Sequence, residues 1–447
     1  MIAEDETTIT DHGERRGINH VVILGAGFGG TYTAMRLQKM LKKQPNLRVT
    51  LVSRDNYFLM TPLLFEAGSG ILEPRHAVNP LRPLFKQVQF VEAEVTSVDF
   101  EKKTVKSLLS NNEKYELTFD HLVIALGGVT NTSLVQGSQH AFSFKTMADA
   151  IHVRNHLIDC FERADIERDA DKVRALMTFV IVGGGLVGVE LIGEFTEFVS
   201  NVNRHYRNIP VDAPQFILID GGERIMKEMS EDLSGYAQRI LESRGVQIRN
   251  NTRVKAIEPG KVIVNDTETI AAATIILGTG VKPSPLIETL PLTKDRRGRV
   301  EVDACMKSVT HPFVWALGDC AAIPDPRAPG KYYPPLAQHA IREAKLLAAN
   351  IVAELNNKPL KPFIYESKGT LASLGKFKGV GKVYKFKIRG FVAWWVWRSY
   401  YLMQMPRINR RIRIMLDWTI TLFFKNDVVK MDVESRKDVR DPSELSL

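Results

Sequence analysis

The sequence predicts an α/β protein with two Rossmann-like dinucleotide-binding domains and a C-terminal helical segment that associates with a membrane. Two observations predict the domains: at two places a short apolar strand runs into a GxGxxG turn and then into a helical pattern. A third observation predicts the last segment, which is aromatic and basic and lies after both turns. At 447 residues the chain is long enough for two or three domains.

The first glycine turn follows an apolar strand at residues 20–24 and precedes a helical pattern from Thr31 to about Lys43. Glycines let the backbone approach a pyrophosphate, and a helix N-terminus supplies N–H donors and partial positive charge. The turn therefore predicts a bound dinucleotide. Its GxGxxG glycines are Gly25, Gly27 and Gly30.

The strand after this turn, residues 48–52, is expected to end at an acidic residue that binds a ribose. It ends instead in Ser53, Arg54 and Asp55. Asp55 comes two residues late for the usual contact, so the residue that faces the adenosine ribose is left open among these three.

The second glycine turn follows an apolar strand at residues 178–182 and is again a GxGxxG turn in a strand–turn–helix context. The helix after it should carry Glu190 and Glu194 on one face, because residues four apart share a helix face. The glycines of this turn are Gly183, Gly185 and Gly188.

The second turn favours NAD over NADP. The next strand, residues 216–219, ends at Asp220, and an acid there suits a free ribose 2′-hydroxyl. Arg224 nearby weakens this preference slightly. Two dinucleotide turns in one chain imply two nucleotides facing each other, which suits an enzyme that passes a hydride from a nicotinamide to a flavin.

Four further segments carry a family pattern. They read LVIALG at residues 122–127, TIILGTGV at 274–281, FVWALGDCAA at 313–322 and YPPLAQHA at 333–340. Together with NYFLMTPLLFEAGSGILEPRHAVNPLR at 56–82, they resemble the type II NADH:quinone oxidoreductases, single-chain flavoenzymes of respiratory membranes. The resemblance covers residues 18–430. It implies a glutathione-reductase-type fold with non-covalent FAD, NADH as the substrate and a quinone as the acceptor.

The resemblance also implies roles for individual positions. Asp319 would hold the flavin ribityl chain, the helix that starts near Ala337 would point its N-terminus at the flavin pyrimidine ring, and Gln338 would lie where quinone approaches. The residues expected to contact FAD are Gly25, Gly27, Phe28, Gly29, Gly30, Ser53, Arg54, Thr61, Pro62, Val95, Ala125, Leu126, Gly127, Gly318, Asp319, Ala337, Gln338 and His339. Those expected to contact NADH are Gly183, Gly185, Leu186, Val187, Gly188, Glu190, Asp220, Gly278, Thr279 and Gly280.

Glu190 and Gln338 are the candidate catalytic residues. Glu190 sits one turn into the helix that starts at the second glycine turn, so it is expected either to relay a proton or to position the nicotinamide. A buried structural acid is the alternative interpretation. The spacing of Cys and His suggests no metal cluster.

The motifs divide the chain into five predicted segments. Residues 1–17 form an N-terminal tail, and the last segment is both a membrane anchor and a dimerisation region. The segments after the tail are the first part of the FAD domain (18–140), the NADH domain (141–304), the second part of the FAD domain (305–365) and the C-terminal region (366–447).

The basic excess of the protein lies in one C-terminal window. Residues 367–416 contain twelve Lys or Arg and no Asp or Glu; removing these twelve from the 60 basic residues leaves 48 against 51 acidic ones. Residues 391–418 hold four of the five tryptophans. Aromatic side chains beside cations favour an anionic membrane surface over nucleic acid. We therefore expect two helices in the interface plane, residues 389–402 with Arg398 on the wet side, and a second after Pro406.

The expected partners follow from this segment. Residues 376–424 should attach to an anionic membrane surface, peripherally and on the cytoplasmic face of a bacterial inner membrane. No apolar run is long enough to span a bilayer. Buried aromatics also join subunits, so a homodimer is expected as well. No nucleic-acid partner is expected.

Three other kinds of function share parts of this pattern. Disulfide reductases need a redox cysteine pair after the first turn, and residues 31–82 contain no cysteine. A sulfide:quinone oxidoreductase needs a pair near the flavin, and nothing after Cys320 can partner Cys160 in that way. The third alternative is an NADH diaphorase or a nucleotide-sensing flavoprotein. The three widely spaced cysteines, Cys160, Cys305 and Cys320, are expected to be unpaired thiols.

Overall fold

The structure is a computed structural model that describes residues 9–11, 17–265, 268–425 and 427–431. The described chain divides into two compact units. The first unit contains the described residues up to 59, together with 78–129 and 281–366. The second contains 60–77, 130–280 and the described residues from 367 onward.

The helices and strands are named in chain order. Residues 9–130 form β1 (Ile9–Asp11), β2 (Asn19–Leu24), α1 (Phe28–Leu41), β3 (Leu47–Ser53), β4 (Tyr57–Leu59), α2 (Leu64–Gly68), β5 (Val78–Pro80), β6 (Gln89–Asp99), β7 (Thr104–Leu109), β8 (Lys114–Thr118), β9 (His121–Ile124) and β10 (Gly128–Thr130). Residues 147–283 form α3 (Met147–Ile166), α4 (Ala170–Leu176), β11 (Thr178–Val182), α5 (Leu186–Asn203), β12 (Gln215–Ile219), α6 (Glu231–Glu242), β13 (Val246–Arg249), β14 (Val254–Glu258), β15 (Lys261–Val264), β16 (Glu268–Ala271), β17 (Thr274–Leu277) and β18 (Val281–Pro283). Residues 285–423 form α7 (Pro285–Thr289), β19 (Val300–Glu301), β20 (Val314–Ala316), β21 (Ala321–Ala322), α8 (Ala337–Leu355), β22 (Gly369–Ser373), β23 (Gly379–Val383), β24 (Phe386–Arg389), α9 (Gly390–Gln404) and α10 (Ile408–Phe423).

A large sheet forms the centre of the first unit, with the order β1-β8-β7-β6-β3-β2-β9-β20. Its strands β6, β3, β2, β9 and β20 run parallel. Residues 21–24 of β2 are completely buried, as expected for a parallel strand covered on both faces. Because the register pairs Leu24 with Val52 and with Ile124, the carboxyl ends of these strands lie at one edge.

A smaller parallel sheet, in the order β13-β12-β11-β17, forms the centre of the second unit. Its register pairs Val182 with Ile219 and with Leu277. Gly183, Asp220 and Gly278 each come one residue later, so they too share one edge. Two antiparallel three-stranded sheets, β14-β15-β16 and β22-β23-β24, belong to the same unit.

The compact units differ from the predicted segments by more than one residue at three places, one of which is residues 130–140, predicted in the FAD domain but found in the second unit. Residues 281–304 belong to the first unit, where Val300 of β19 pairs with Ala321 of β21. Residues 60–77 belong to the second, where Gly68 packs against Phe144. The assignment of each unit to a nucleotide stays a prediction.

The two C-terminal helices are confirmed, and α9 ends two residues later than expected. α9 packs against all three strands of the sheet β22-β23-β24, and α10 packs against α9 and the 3-10 turn Pro74–His76. In the described part of the chain, no helix is both long enough and apolar enough to cross a bilayer.

Candidate functional site

The first glycine turn is shaped by close backbone contacts within the first unit. Gly25 has φ of +96°, and a Cβ there would lie 2.5 Å from the carbonyl oxygen of Ala125. A Cβ on Gly30 would lie 1.8 Å from the carbonyl oxygen of Gly25. α1 begins at Phe28, directly after Gly27, and no side chain caps this helix. Its first N–H groups are therefore free of a side-chain cap.

Other predicted residues come to the same edge. Ala125, Leu126 and Gly127 follow β9, while Gly318 and Asp319 lie in the turn after β20. A Cβ on Gly29 would contact Leu317, so the start of α1 packs directly against the segment before Gly318. Gly127 and Gly318 both have positive φ, +63° and +75°, which suits these turns to glycine.

α8 begins at Ala337, as predicted, without a side-chain cap on its N-terminus. His339 is buried, and its Nδ1 lies 2.9 Å from the carbonyl oxygen of Pro334. One turn later Glu343 accepts a hydrogen bond from the Gly318 N–H at 2.8 Å, and burial raises the pKa of Glu343 to about 8. Glu343 was missed by the sequence analysis; it ties α8 to the turn that carries Asp319.

The remaining FAD candidates are more scattered along the chain. Ser53 ends β3 and is half-buried, whereas Arg54 is exposed and lies 3.8 Å from Asp55. Val95 lies in β6, three residues beyond the residue that pairs with Ser53. Thr61 and Pro62 form a 3-10 turn that belongs to the second unit.

The residues of the first turn fit a dinucleotide such as FAD. Whether the turn leaves room for a pyrophosphate is shown by the space at Gly27, where an added Cβ would meet nothing within 4 Å. The flanking glycines are tightly packed against backbone, so the open position at Gly27 is the one that a pyrophosphate can approach. The uncapped N-terminus of α1 supplies donors there.

The second turn repeats this geometry in the second unit. Gly183 has φ of +113°, and a Cβ there would lie 2.4 Å from the carbonyl oxygen of Gly278. Gly188 approaches Gly183 in the same way, and α5 begins at Leu186 without a side-chain cap. At Gly185 the nearest atom to an added Cβ is Oε1 of Glu228, 3.8 Å away.

Asp220 is fixed by the backbone around the turn. Its Oδ2 accepts from the Gly184 N–H and its Oδ1 from the Gly222 N–H, both at 2.7 Å. The Arg224 guanidinium donates to the carbonyl oxygens of Met226, Lys227 and Met229. Arg224 is thus engaged with the following loop. On the other side of the turn, Thr279 donates to the Asn131 carbonyl oxygen at 2.7 Å, one residue before Gly280.

Glu190 is buried and is held by the C-terminal region. Its Oε1 accepts from the Ser373 N–H at 3.0 Å and from Nε1 of Trp397 at 2.9 Å. Burial raises the pKa of Glu190 to about 8. Glu194, one turn later, is buried as well and accepts from the Ser373 hydroxyl at 3.0 Å. The shared face predicted for the two glutamates is confirmed.

Arg398 corrects the expectation of a wet side on α9. Its side chain is buried and forms an ion pair with the fully buried Glu66, with N–O distances of 2.8 and 2.9 Å. The guanidinium lies between the rings of Trp394 and Trp418, and Nε1 of Trp418 donates to the other oxygen of Glu66 at 2.6 Å. The expectation was wrong because the cation has a buried acid to pair with.

The outer surfaces of the two helices are apolar and exposed. On α9, Trp395 is 58% exposed, so only this one of the four clustered tryptophans points outward in the described structure. α10 presents an exposed apolar face along its length, and Ile414 is its one buried residue. The exposed apolar residues of α9, α10 and the next position are Phe391, Val392, Trp395, Met403, Ile408, Ile412, Met415, Leu416, Ile420, Leu422, Phe423 and Phe424.

The cysteines form no disulfide. All three are free thiols, as predicted. Sγ of Cys160 lies 3.5 Å from Nε2 of His156, and burial raises the pKa of this thiol to about 11. Cys320 is buried too, and its pKa is raised for the same reason. These are the surroundings of inert thiols.

Comparison with known families matches this architecture. The family model described as pyridine nucleotide-disulphide oxidoreductase matches residues 19–344. A second model, described as the NDH2 C-terminal domain, matches residues 367–427. Fold and paired glycine turns therefore define an oxidoreductase of the two-dinucleotide class.

Curated relatives narrow this class. A probable NADH dehydrogenase of Dictyostelium discoideum is 31% identical over 417 residues, covering 91% of this chain and 90% of the relative. A type II NADH:quinone oxidoreductase of Staphylococcus aureus is 30% identical over 376 residues, covering 83% and 91%. The chain belongs to the type II NADH:quinone oxidoreductase family, which confirms the resemblance drawn from the motifs.

A solved structure supports the fold over almost the whole chain. NDH2 from Plasmodium falciparum, solved in complex with NADH, has a TM-score of 0.83 and 21% identity, covering 92% of this chain and 100% of that one. The sulfide:quinone oxidoreductase of Aquifex aeolicus is less similar, with a TM-score of 0.65 and 20% identity, covering 91% and 96%.

Proposed function

We propose that the protein oxidises NADH and passes two electrons to a membrane quinone through non-covalently bound FAD, without pumping protons. The observation that carries the proposal is the pair of glycine turns, each at the carboxyl edge of its own parallel sheet. When bound, FAD accepts the hydride of NADH and passes its electrons to the quinone. The chain itself binds and orients the two nucleotides and handles the proton.

The first unit is the proposed FAD site. The open position at Gly27 and the uncapped start of α1 support a pyrophosphate there. Asp319, fixed in the turn after β20, would bind the ribityl chain, and Glu343 would hold that turn through the Gly318 N–H. The N-terminus of α8 would direct its partial positive charge toward the flavin ring, and Gln338 would lie beside the quinone.

The second unit is the proposed NADH site. Gly185, with little around its missing Cβ, and the uncapped start of α5 support a second pyrophosphate. Asp220 is held by two backbone N–H groups, and each of its oxygens keeps a lone pair for a ribose hydroxyl. The engagement of Arg224 with loop carbonyls supports NAD, since no 2′-phosphate is needed to satisfy it.

Glu190 is proposed to carry a proton rather than to touch nicotinamide. Its Oε1 is already bound by Ser373 and Trp397, which supports a fixed, buried acid. A carboxyl whose pKa lies near 8 is matched to general acid chemistry at neutral pH.

The C-terminal helices are proposed to attach the enzyme peripherally to an anionic membrane, in the bacterial case to the cytoplasmic face of the inner membrane. The exposed apolar face of α10, which ends in Phe423 and is followed by Phe424, supports burial in the headgroup layer. Arg407 immediately precedes this helix, Arg410 and Arg413 lie in its first two turns, and all three suit acidic lipid. Alternatively, this face joins two copies of the chain in a homodimer.

The proposal is tested by anaerobic half-reactions. The purified yellow protein should bleach when NADH is added and recover its colour when a quinone is added. Recovery with quinone separates this function from that of a nucleotide sensor or diaphorase. Bleaching by sulfide instead of NADH would favour the sulfide:quinone reaction, which the buried, unpaired Cys160 does not support.

A further inference from the structure

We propose that three carboxylates in a row on α5 form the route by which a proton from solvent reaches the proposed proton carrier. In order from the surface, they are Glu197, Glu194 and Glu190. The inference rests on the proposed function and adds to it a second proton-carrying residue, Glu194, and an entrance, Glu197.

The three residues lie on one face of a single helix. Positions 190, 194 and 197 are spaced four and three residues apart, so their side chains point the same way, about 6 and about 4.5 Å apart along the axis. Glu190 and Glu194 are buried, whereas Glu197 is half-buried. The row therefore leads from the surface to the residue nearest the glycine turn.

Ser373 holds the two buried acids together. Its N–H donates to Glu190 and its hydroxyl donates to Oε1 of Glu194, both at 3.0 Å. The N–H of Lys376, three residues later in the same segment, donates to Oε2 of Glu197 at 3.2 Å. One short stretch of chain, from the last residue of β22 to Lys376, thus contacts all three carboxylates.

Oε2 of Glu194 is the atom that marks the row as a route. It is completely buried and has no hydrogen-bond partner in the described structure. An ionised oxygen left in this way is costly, whereas a protonated one carries a hydrogen that it can pass on. Glu194 is 1% exposed, so the unpartnered oxygen is shielded from solvent.

Burial, followed by the neighbouring carboxylates, keeps protons on Glu190 and Glu194. The groups that face Glu194 are Glu66 of α2, Glu197 of its own helix and Arg398 of α9, and Glu190 faces Glu66, Glu194 and Tyr401. The single cation, Arg398, is already paired with Glu66. Glu190 and Glu194 therefore have no cation of their own, and burial raises both pKa values.

The overall reaction needs one such proton. NADH, a quinone and one H⁺ give NAD⁺ and a quinol: the hydride supplies two electrons and one proton, and solvent supplies the other. We assign the solvent proton to Glu197, then Glu194, then Glu190, each of which is reprotonated from the residue before it. No further oxidant or reductant is involved.

The decisive variant is Glu194→Gln in the holoenzyme. It keeps the shape and the acceptor for Ser373 but cannot carry a proton. We expect NADH to bleach the variant at the normal rate, whereas its reoxidation by quinone should be slowed by about tenfold or more. That slowed step should show a larger solvent deuterium isotope effect, and added formic acid should partly restore its rate.

The matched control is Glu242→Gln, an exposed acid at the end of α6 in the same unit, which should behave as the unmodified enzyme.

A second readout does not depend on turnover. In the infrared spectrum of the resting holoenzyme, a carboxylic C=O band should disappear in Glu194→Gln and persist in Glu242→Gln. An unchanged band, or reoxidation with unchanged rate and solvent isotope effect, would overturn the inference. Glu197→Gln, at a half-buried position, should show a smaller slowing of the same step. If instead the unmodified enzyme does not regain its colour when quinone is added, the proposed function itself is wrong, whatever the variants show.

Discussion

At the scale of single residues, the two uncompensated glutamates of α5 make stability depend on pH. The folded pKa of Glu190, about 8, exceeds the value of 4.5 for an unperturbed Glu, and that of Glu194 is raised too. The folded protein therefore binds more protons than the unfolded one between these values. The contribution of these two protonated glutamates to the free energy of unfolding is fully present below pH 4.5 and is lost as the pH rises toward 8.

Glu194→Gln should remove part of that loss. We expect the variant to be more stable than the unmodified protein at pH 8, by at least about 1 kcal/mol, and to differ little near pH 5. Chemical denaturation at the two pH values measures this difference. Glu242→Gln serves as control, and a Glu194→Gln variant that is equally destabilised at both pH values would contradict the raised pKa.

The pair Glu66–Arg398 should contribute strongly to stability, because both side chains are buried. Arg398→Met leaves a buried carboxylate without its cation, and we expect the free energy of unfolding to fall by about 3–5 kcal/mol. Adding Glu66→Gln to this variant should restore much of the loss, which a double-mutant cycle by urea denaturation measures.

The control for this cycle is an exposed ion pair in the same unit. Arg389 contacts Asp232 at 2.6 Å, but both side chains are more than 40% exposed. Arg389→Met should therefore cost less than about 1 kcal/mol. Equal losses for Arg389→Met and Arg398→Met would show that burial does not decide the strength of these pairs.

These residues also show what the sequence left unpredicted. Glu66 is the one acid in the apolar run LLFEAGSGIL, and Arg398 is the one base in WWVWRSYYLM. Lone opposite charges in two apolar runs indicate a buried pair, and that pattern could have identified it. Taken alone, Arg398 reads as a solvent contact. Ser373, by contrast, gives no sequence signal, because it binds Glu190 through its backbone N–H.

At the scale of elements, the strands and helices next to the glycine turns were predicted to within a few residues. β2 starts one residue earlier than expected, and α1 starts at Phe28 instead of Thr31. Period and turn residues are local properties, so the sequence contains them. The face that a helix buries depends on partners distant in sequence. For this reason the position of α9 was predicted correctly, whereas the burial of Arg398 was not.

The apolar face of α10 should control attachment to membranes. We expect the triple variant Ile412→Ser, Leu416→Ser and Ile420→Ser to bind lipid vesicles about 100-fold more weakly, since three half-exposed aliphatic side chains would together lose about 3 kcal/mol. Co-sedimentation with phosphatidylglycerol–phosphatidylcholine vesicles measures the affinity.

The stability of this triple variant should change little, because its side chains are already exposed in the folded chain. Asn409→Ser, at an exposed polar position of the same helix, is the control. If the triple variant binds vesicles normally but changes from dimer to monomer in sedimentation, the face joins subunits and does not attach to lipid.

At the scale of the whole molecule, charge is divided unevenly along the chain. Outside residues 367–416 the acidic residues slightly exceed the basic ones. Within the window, three of the twelve cations are paired with a carboxylate: Lys387 and Arg389 with Asp232, and Arg398 with Glu66. Composition alone cannot separate these from the other nine, which form no ion pair with a carboxylate in the described residues. The effective surface charge is therefore smaller than the sequence suggests.

Nine cations beside an exposed apolar face predict attachment with two separable parts. Each cation near anionic lipid adds about 1 kcal/mol, and this part is screened as the Debye length shortens from about 8 Å at 0.15 M salt to about 3 Å at 1 M. The apolar part is not screened. Binding to vesicles containing phosphatidylglycerol should therefore weaken steeply with salt and level off at the affinity for pure phosphatidylcholine, which should itself be independent of salt. Because Lys387 is paired with Asp232, which it shares with Arg389, Lys387→Gln should reduce the slope less than Arg410→Gln does. Equal slopes for these two variants would mean that the internal ion pairs do not decide which cations meet the membrane.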